Sequence, residues 1–129
     1  MLSKGFISIE KNGVKVETVI EMTELVEGEY LNGSVYITTE DANDSEKIDF
    51  ISLKVLCEQL NGVQNIIAKH SFQLVGNIHS KDAEIIPFEF IPDERWICQP
   101  NEHLVFKTKV VFLDNTEIEE LDVISYHME

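Results

Sequence analysis

An antiparallel all-β sandwich is the fold this sequence predicts, and three observations lead there. Seven stretches alternate apolar and polar residues with the period of a half-buried strand. Turn-forming residues separate them, and nothing between them could serve as a parallel crossover. No segment shows a helical period; the nearest, Thr116 to Asp122, is short and leads into β-branched residues. A closed barrel needs matched strand lengths and tilt, whereas long strands here accompany a short proline-bounded one around Phe88, so the sandwich is favoured.

The elements follow in order. Val14, Val16, Thr18 and Ile20 share one face, with Lys15, Glu17 and Glu21 on the other. Glu27-Gly28-Glu29 reads as a turn, after which Leu31, Gly33, Val35 and Ile37 point inward and Tyr30, Asn32, Ser34, Tyr36 and Thr38 outward. Past an acidic loop from Glu40 to Glu46, the inward set becomes Ile51, Leu53, Val55 and Cys57, while Ile48 and Phe50 sit on the other phase, which predicts a bulge near Phe50. Asn61-Gly62 is a hairpin signal, so the next strand, with Ile66, Ala68, His70, Phe72 and Leu74 on its inner face, should pair antiparallel with the preceding one. A polar link leads to Ile86, Phe88 and Phe90, and Pro87, lacking an amide donor, marks that strand as an edge or an irregular start. Two strands close the pattern, through Leu104, Phe106, Thr108, Val110 and Phe112 and then from Ile118 to Tyr126, turned by Asp114-Asn115-Thr116. The core expected from these phases is Val16, Ile20, Val35, Leu53, Val55, Phe72, Phe88, Phe106, Val110 and Val123.

With 129 residues, 43% of them hydrophobic, residues 1–129 are read as one domain with its own core. Ten Lys and Arg against 24 Asp and Glu leave a formal charge of −14, which repels phosphate backbones and anionic membrane surfaces and argues against a nucleic-acid partner. An acidic residue, Glu10, is reached before any signal-like apolar run, and no stretch approaches the ~20 apolar residues of a membrane span. The expectation is a cytoplasmic protein without membrane insertion, with Cys57 and Cys98 as reduced thiols.

Four segments carry a resemblance to a known family. They are Gly13-Val14-Lys15-Val16-Glu17-Thr18, Glu27 to Val35 with its Gly-Glu and Gly-x-Val spacing, Ile48 to Leu53, and Ile86-Pro87-Phe88-Glu89-Phe90-Ile91-Pro92. In these the chain resembles the bacterial sporulation-control proteins, whose domain is an arrestin-like β-sandwich. The resemblance implies architecture first, and then a non-enzymatic adaptor or regulator acting through protein contacts. Family members usually carry a second sandwich, and this sequence ends at Glu129 soon after the last strand, so the surface a second lobe would cover is expected to be exposed or covered by another chain. Trp96 and Cys98, in the loop Pro92 to Pro100, are not part of the family pattern.

Residues able to carry chemistry are sparse. In the acidic loop Asp41, Asn43 and Ser45 have alternate spacing, but an EF-hand would need glycine where Glu46 stands and glutamate where Ser52 stands; a solvated hairpin tip is the expectation. His70, His79, His103 and His127 form no HxxH, the cysteines form no CxxC, and neither a GxSxG elbow nor a phosphate-cradling glycine loop occurs. No catalytic residue, cofactor or metal is expected. His70 reads as a hydrogen-bonded histidine at the core or sheet margin.

Two functions remain in competition. The leading one is a protein-interaction module, with a protein partner or self-association, through Trp96 as a loop anchor, the outward Tyr30 and Tyr36, and an outer-face patch of Val105, Val111 and Leu113 with Ile67 and Val75 nearby. The alternative is a small-molecule or enzymatic cleft among His79, Glu94, Arg95 and His103, which would require those groups to converge around one deep pocket.

Overall fold

The computed structural model describes residues 4–11, 13–39, 48–74 and 83–128. Among them nine strands form: β1 Gly5–Lys11, β2 Val14–Ile20, β3 Glu24–Val26, β4 Leu31–Thr39, β5 Ile48–Gln59, β6 Gln64–Gln73, β7 Ala83–Phe90, β8 Glu102–Phe112 and β9 Glu117–His127. They make a four-stranded sheet, β1-β2-β4-β7, and a five-stranded sheet, β3-β9-β8-β5-β6. The acidic loop at 40–47 and the positions of Val75 and His79 lie outside the described residues.

Alternation explains the long strands and also the shorter β1. In β1, Ile7 and Ile9 are buried while Phe6, Ser8 and Glu10 are exposed, and β1 pairs antiparallel with β2 from Gly5↔Ile20 to Lys11↔Val14. The three-residue β3 has no room for a period; it is recruited by parallel pairing with the end of β9, which seats Leu25 in the core. β7 lies at the edge of its sheet, where the missing amide of Pro87 leaves no gap in an interior ladder. The bulge near Phe50 is present as a register shift between Ile48 and Phe50.

Two phase assignments are corrected. A second register shift, between Val55 and Leu56, lets β6 fit one additional residue, so Ile67 is buried and Ile66 exposed, the reverse of strict alternation. In β9, register opposite β8 sets Ile124 beside Leu104 and Val123 beside Val105, so Ile124 enters the core and Val123 is 57% exposed. Aliphatic residues occupy both phases of that strand, and its own sequence could not choose between them.

The sheets meet around Phe106 of β8. Phe88 stacks against it at a ring-centroid distance of 5.4 Å, and Phe90 meets it edge-on at 6.0 Å. Phe88 can approach because its register partner is Gly33: a Cβ there would sit 2.6 Å from Phe88 Cζ. Nearby, the hydroxyls of Thr18 and Thr108, both fully buried, hydrogen bond at 3.0 Å between β2 and β8, so the core's central polar atoms satisfy each other across the layers. At the margin His70 of β6 packs on Phe90 at 4.4 Å and donates from Nε2 to the Glu89 carbonyl at 3.1 Å, joining the two sheets.

Truncating Phe106 to Ala should cost about 3–5 kcal/mol in urea unfolding, because it removes the ring on which both β7 aromatics pack. Val123→Ala should stay within about 0.5 kcal/mol of the parent, as expected of an exposed position. Equal costs at the two positions would show that the β9 register is wrong.

Candidate functional site

One concavity among the described residues is a cleft of about 380 Å³ between the 97–104 segment and the end of β9, lined by Cys98, Glu102, His103, Ile124 and Tyr126 among others. Its wall is built locally. Asp93 caps a single 3-10 turn, Glu94–Trp96, by accepting from the Arg95 amide, and this turn directs Trp96 into the protein, where it is 1% exposed and meets Tyr126 edge-on at 6.3 Å. Trp96 therefore caps the core and cannot project as a partner anchor. A lone Trp in a proline-bounded loop reads the same from sequence in either role, and the capped turn decides it.

Two polar groups of the cleft, Glu102 and His103, are bonded to neighbouring residues. Glu102 accepts from the Gln99 amide at 2.9 Å and from Gln59 Nε2 at 3.4 Å, and the Gln99 bond in particular holds its carboxyl below the usual range. His103 Nε2 lies 3.1 Å from Glu58 Oε1. The thiols of Cys57 and Cys98 are 3.9 Å apart, both unbonded covalently. Burial pushes Cys57 up to about 12 and also raises Cys98, so neither is an activated nucleophile.

The expected cleft among His79, Glu94, Arg95 and His103 does not assemble from its described members. Arg95 is exposed and turned onto Asp93, with Nη2 2.7 Å from Oδ2, while His103 faces Glu58. His103 lines the cleft described above, whereas Glu94 and Arg95 do not. Among the described residues no group of three His, Cys, Asp or Glu could hold a metal ion.

The outer face of the five-stranded sheet is the broader feature. Register across β6, β5, β8 and β9 aligns Ile66, Leu56, Val105 and Val123 in one row, and Lys69, Lys54, Lys107 and Leu121 in the next. The outward phase of Val105 and Val111 is as the alternation requires, but neither is exposed: Val105 is 1% accessible and Val111 is also buried. Lys107 Nζ reaches from β8 to Gln64 Oε1 on β6 at 3.3 Å, a span that passes over β5 at Leu56. Gln64 in turn bonds Glu58. Long polar stems thus roof the middle of the face, and Lys109 with Glu117, 2.9 Å apart, flanks Val111 in the same way. Exposed apolar groups remain at its margins, at Ile66, Leu121 and Val123. Leu113 is exposed in the β8–β9 turn, and Tyr30 and Tyr36 are exposed, Tyr36 on the outer face of the four-stranded sheet opposite Ile85. The expected single patch of Val105, Val111 and Leu113 is therefore replaced by a row that the β5–β6 register shift assembles, a signal absent from any one strand's sequence.

This geometry defines a class: a two-sheet β-sandwich without an assembled catalytic constellation among its described residues. Within that class the chain has the fold seen in Spo0M, a sporulation control protein from Bacillus subtilis, with a TM-score of 0.66 at 18% identity over 92% of this chain. The match covers 51% of the Spo0M chain, so this chain spans about half its length. Two structures of a β-glucosidase from Listeria innocua align at TM-scores of 0.45 and 0.39, each over 16% of that enzyme, a likeness too low to carry an argument. No family model and no curated protein matches the sequence.

The thiols give a direct check on the cleft wall. At pH 8, iodoacetamide followed by mass spectrometry should label Cys98 slowly and Cys57 more slowly still, with both reacting fast once urea unfolds the chain. Labelling of folded Cys57 at the unfolded rate would contradict its burial and its raised pKa.

Proposed function

We propose that this chain is a non-enzymatic interaction module, a regulator or adaptor that works by binding another protein. The observation that carries this reading is the outer face of the five-stranded sheet, where exposed Ile66, Leu121 and Val123 rim a row of lysines on an otherwise acidic molecule. Two further facts support it. Glu102 and His103 of the cleft are bonded within its wall, and its thiol, Cys98, is raised by burial rather than activated. The fold is shared with a protein named for sporulation control, which is consistent with a regulatory role. Among the described residues no helix is long and apolar enough to cross a membrane.

The cleft beside Cys98 supplies the rival reading, a small-molecule site, since its volume lies within the range of ligand pockets. Affinity capture with tagged protein separates the two. A stoichiometric protein partner should be retained by the parent and by the cleft variant His127→Ala, and lost with Val123→Glu, whose exposed position leaves the fold intact. If no partner is retained, while a small molecule raises the melting temperature saturably and His127→Ala abolishes the rise, the cleft is the functional site.

A further inference from the structure

Four of the chain's ten basic residues, Lys54, Lys69, Lys107 and Lys109, fall on one sheet face of a protein whose net charge is −14. Register makes Lys54 the neighbour of both Lys69 and Lys107, and Lys109 lies one row further along. Like charges set side by side on adjacent strands are unfavourable, so their accumulation is not explained by sheet stability. The acidic groups on this face do not neutralise it. Lys107 reaches Glu119 at 3.8 Å and Lys109 reaches Glu117 at 2.9 Å, whereas Lys54 and Lys69 make no ion pair with any described residue. Burial first, and then the neighbouring Lys109 and Lys69, depress Lys54 below its ordinary pKa, against a smaller opposing pull from Glu119.

A second observation lies on the same face. Ser52, outward on β5 between Ser71 and Lys109, is 2% exposed, and its Oγ has no hydrogen-bond partner among the described residues. A buried hydroxyl left without a partner is unfavourable, so this part of the face is not arranged for the stability of the isolated sheet. Beside these groups runs the row of Ile66, Leu56, Val105 and Val123, about 7 Å from the lysine row along the strands.

We infer that the outer face formed by β6, β5, β8 and β9 is a docking surface for an acidic protein segment whose carboxylates alternate with aliphatic side chains. Its carboxylates meet Lys69 and Lys54, and its aliphatic groups meet Ile66 and Val123. Charge complementarity selects this occupant. A two-fold contact with a second copy centred on the lysine row would set lysines against lysines, and the net negative charge of the rest of the chain opposes nucleic acid. Exposed charges are screened within about 8 Å at physiological salt, so the local lysines rather than the net charge govern the docked pair. This assignment rests on the interaction-module reading and adds to it the chemistry of the partner.

Three fluorescein-labelled 14-residue peptides test it on the full chain: one of Glu and Leu, one of Lys and Leu in the same order, and one of Glu and Gln. Binding is followed by anisotropy and located by amide and methyl NMR shifts. The Glu/Leu peptide should bind saturably, shift Lys54, Lys69, Ile66 and Val123, and weaken as salt rises; the Glu/Gln peptide should bind at least tenfold more weakly. Lys54→Glu with Lys69→Glu should lower Glu/Leu affinity at least tenfold, and the Met pair at the same positions, which keeps the stems, covers the case in which charge reversal unfolds the protein. Unchanged affinity in a folded double variant overturns the proposal, as do shifts confined to other surfaces or saturable binding only to phosphatidylglycerol vesicles. If that variant still captures the parent's stoichiometric partner, this surface is wrong and the interaction-module reading survives. Loss of the partner on charge reversal supports both.

Discussion

The contact between Phe106 and the two β7 aromatics is the constraint from which the rest of the architecture follows. It lies where the sheets face each other, and it is possible because Gly33 yields the space that Phe88 occupies. Once Phe106 faces the four-stranded sheet, alternation in β8 forces Val105 and Lys107 to the opposite side, and pairing passes that choice to β5 and β9. The Thr18–Thr108 bond adds a directional element, because its hydroxyls satisfy each other only in one stacking of the two layers.

On the proposed reading, the same constraint places function on the outside of the sandwich. The interior between the sheets is filled by aliphatic and aromatic side chains, and in the cleft beside Cys98 the Glu102 carboxylate braces the loop at Gln99 while His103 faces Glu58 across the strands. What remains is surface, and the two outer faces differ. That of the four-stranded sheet carries Phe6, Tyr36 and Ile85 without a matching cluster of cations among the described residues, whereas the other combines an aliphatic row with neighbouring lysines. Aliphatic contact supplies area and unpaired charge supplies selectivity, a division common to protein interfaces.

Much of the fold was legible in the residues themselves. Period-two alternation located seven of the nine strands, the phase break at Phe50 located a bulge, and Pro87 marked an edge. Gly5–Lys11 alternates as clearly as the other strands, and β3 exists only through its partner. Of the candidate site residues, Tyr30, Tyr36 and Leu113 are exposed as expected. Trp96, Val105 and Val111 are not, for two separate reasons: a capped turn aims the indole inward, and long polar stems cover the valines. Outward phase gives direction and leaves accessibility to the neighbours. The lysine row was invisible to strand-by-strand reading because its members come from three strands and align only through register.

Cross-saturation NMR on the complex with the captured partner tests the central claim, that binding occurs on an outer sheet face and leaves the interior untouched. With this chain deuterated and its methyl groups protonated, saturation of the partner should transfer to Ile66, Leu121 and Val123, and leave Ile20, Leu53 and Val110 unaffected. Transfer concentrated at Ile97, Leu104 and Ile124 would place the partner at the cleft and contradict the account.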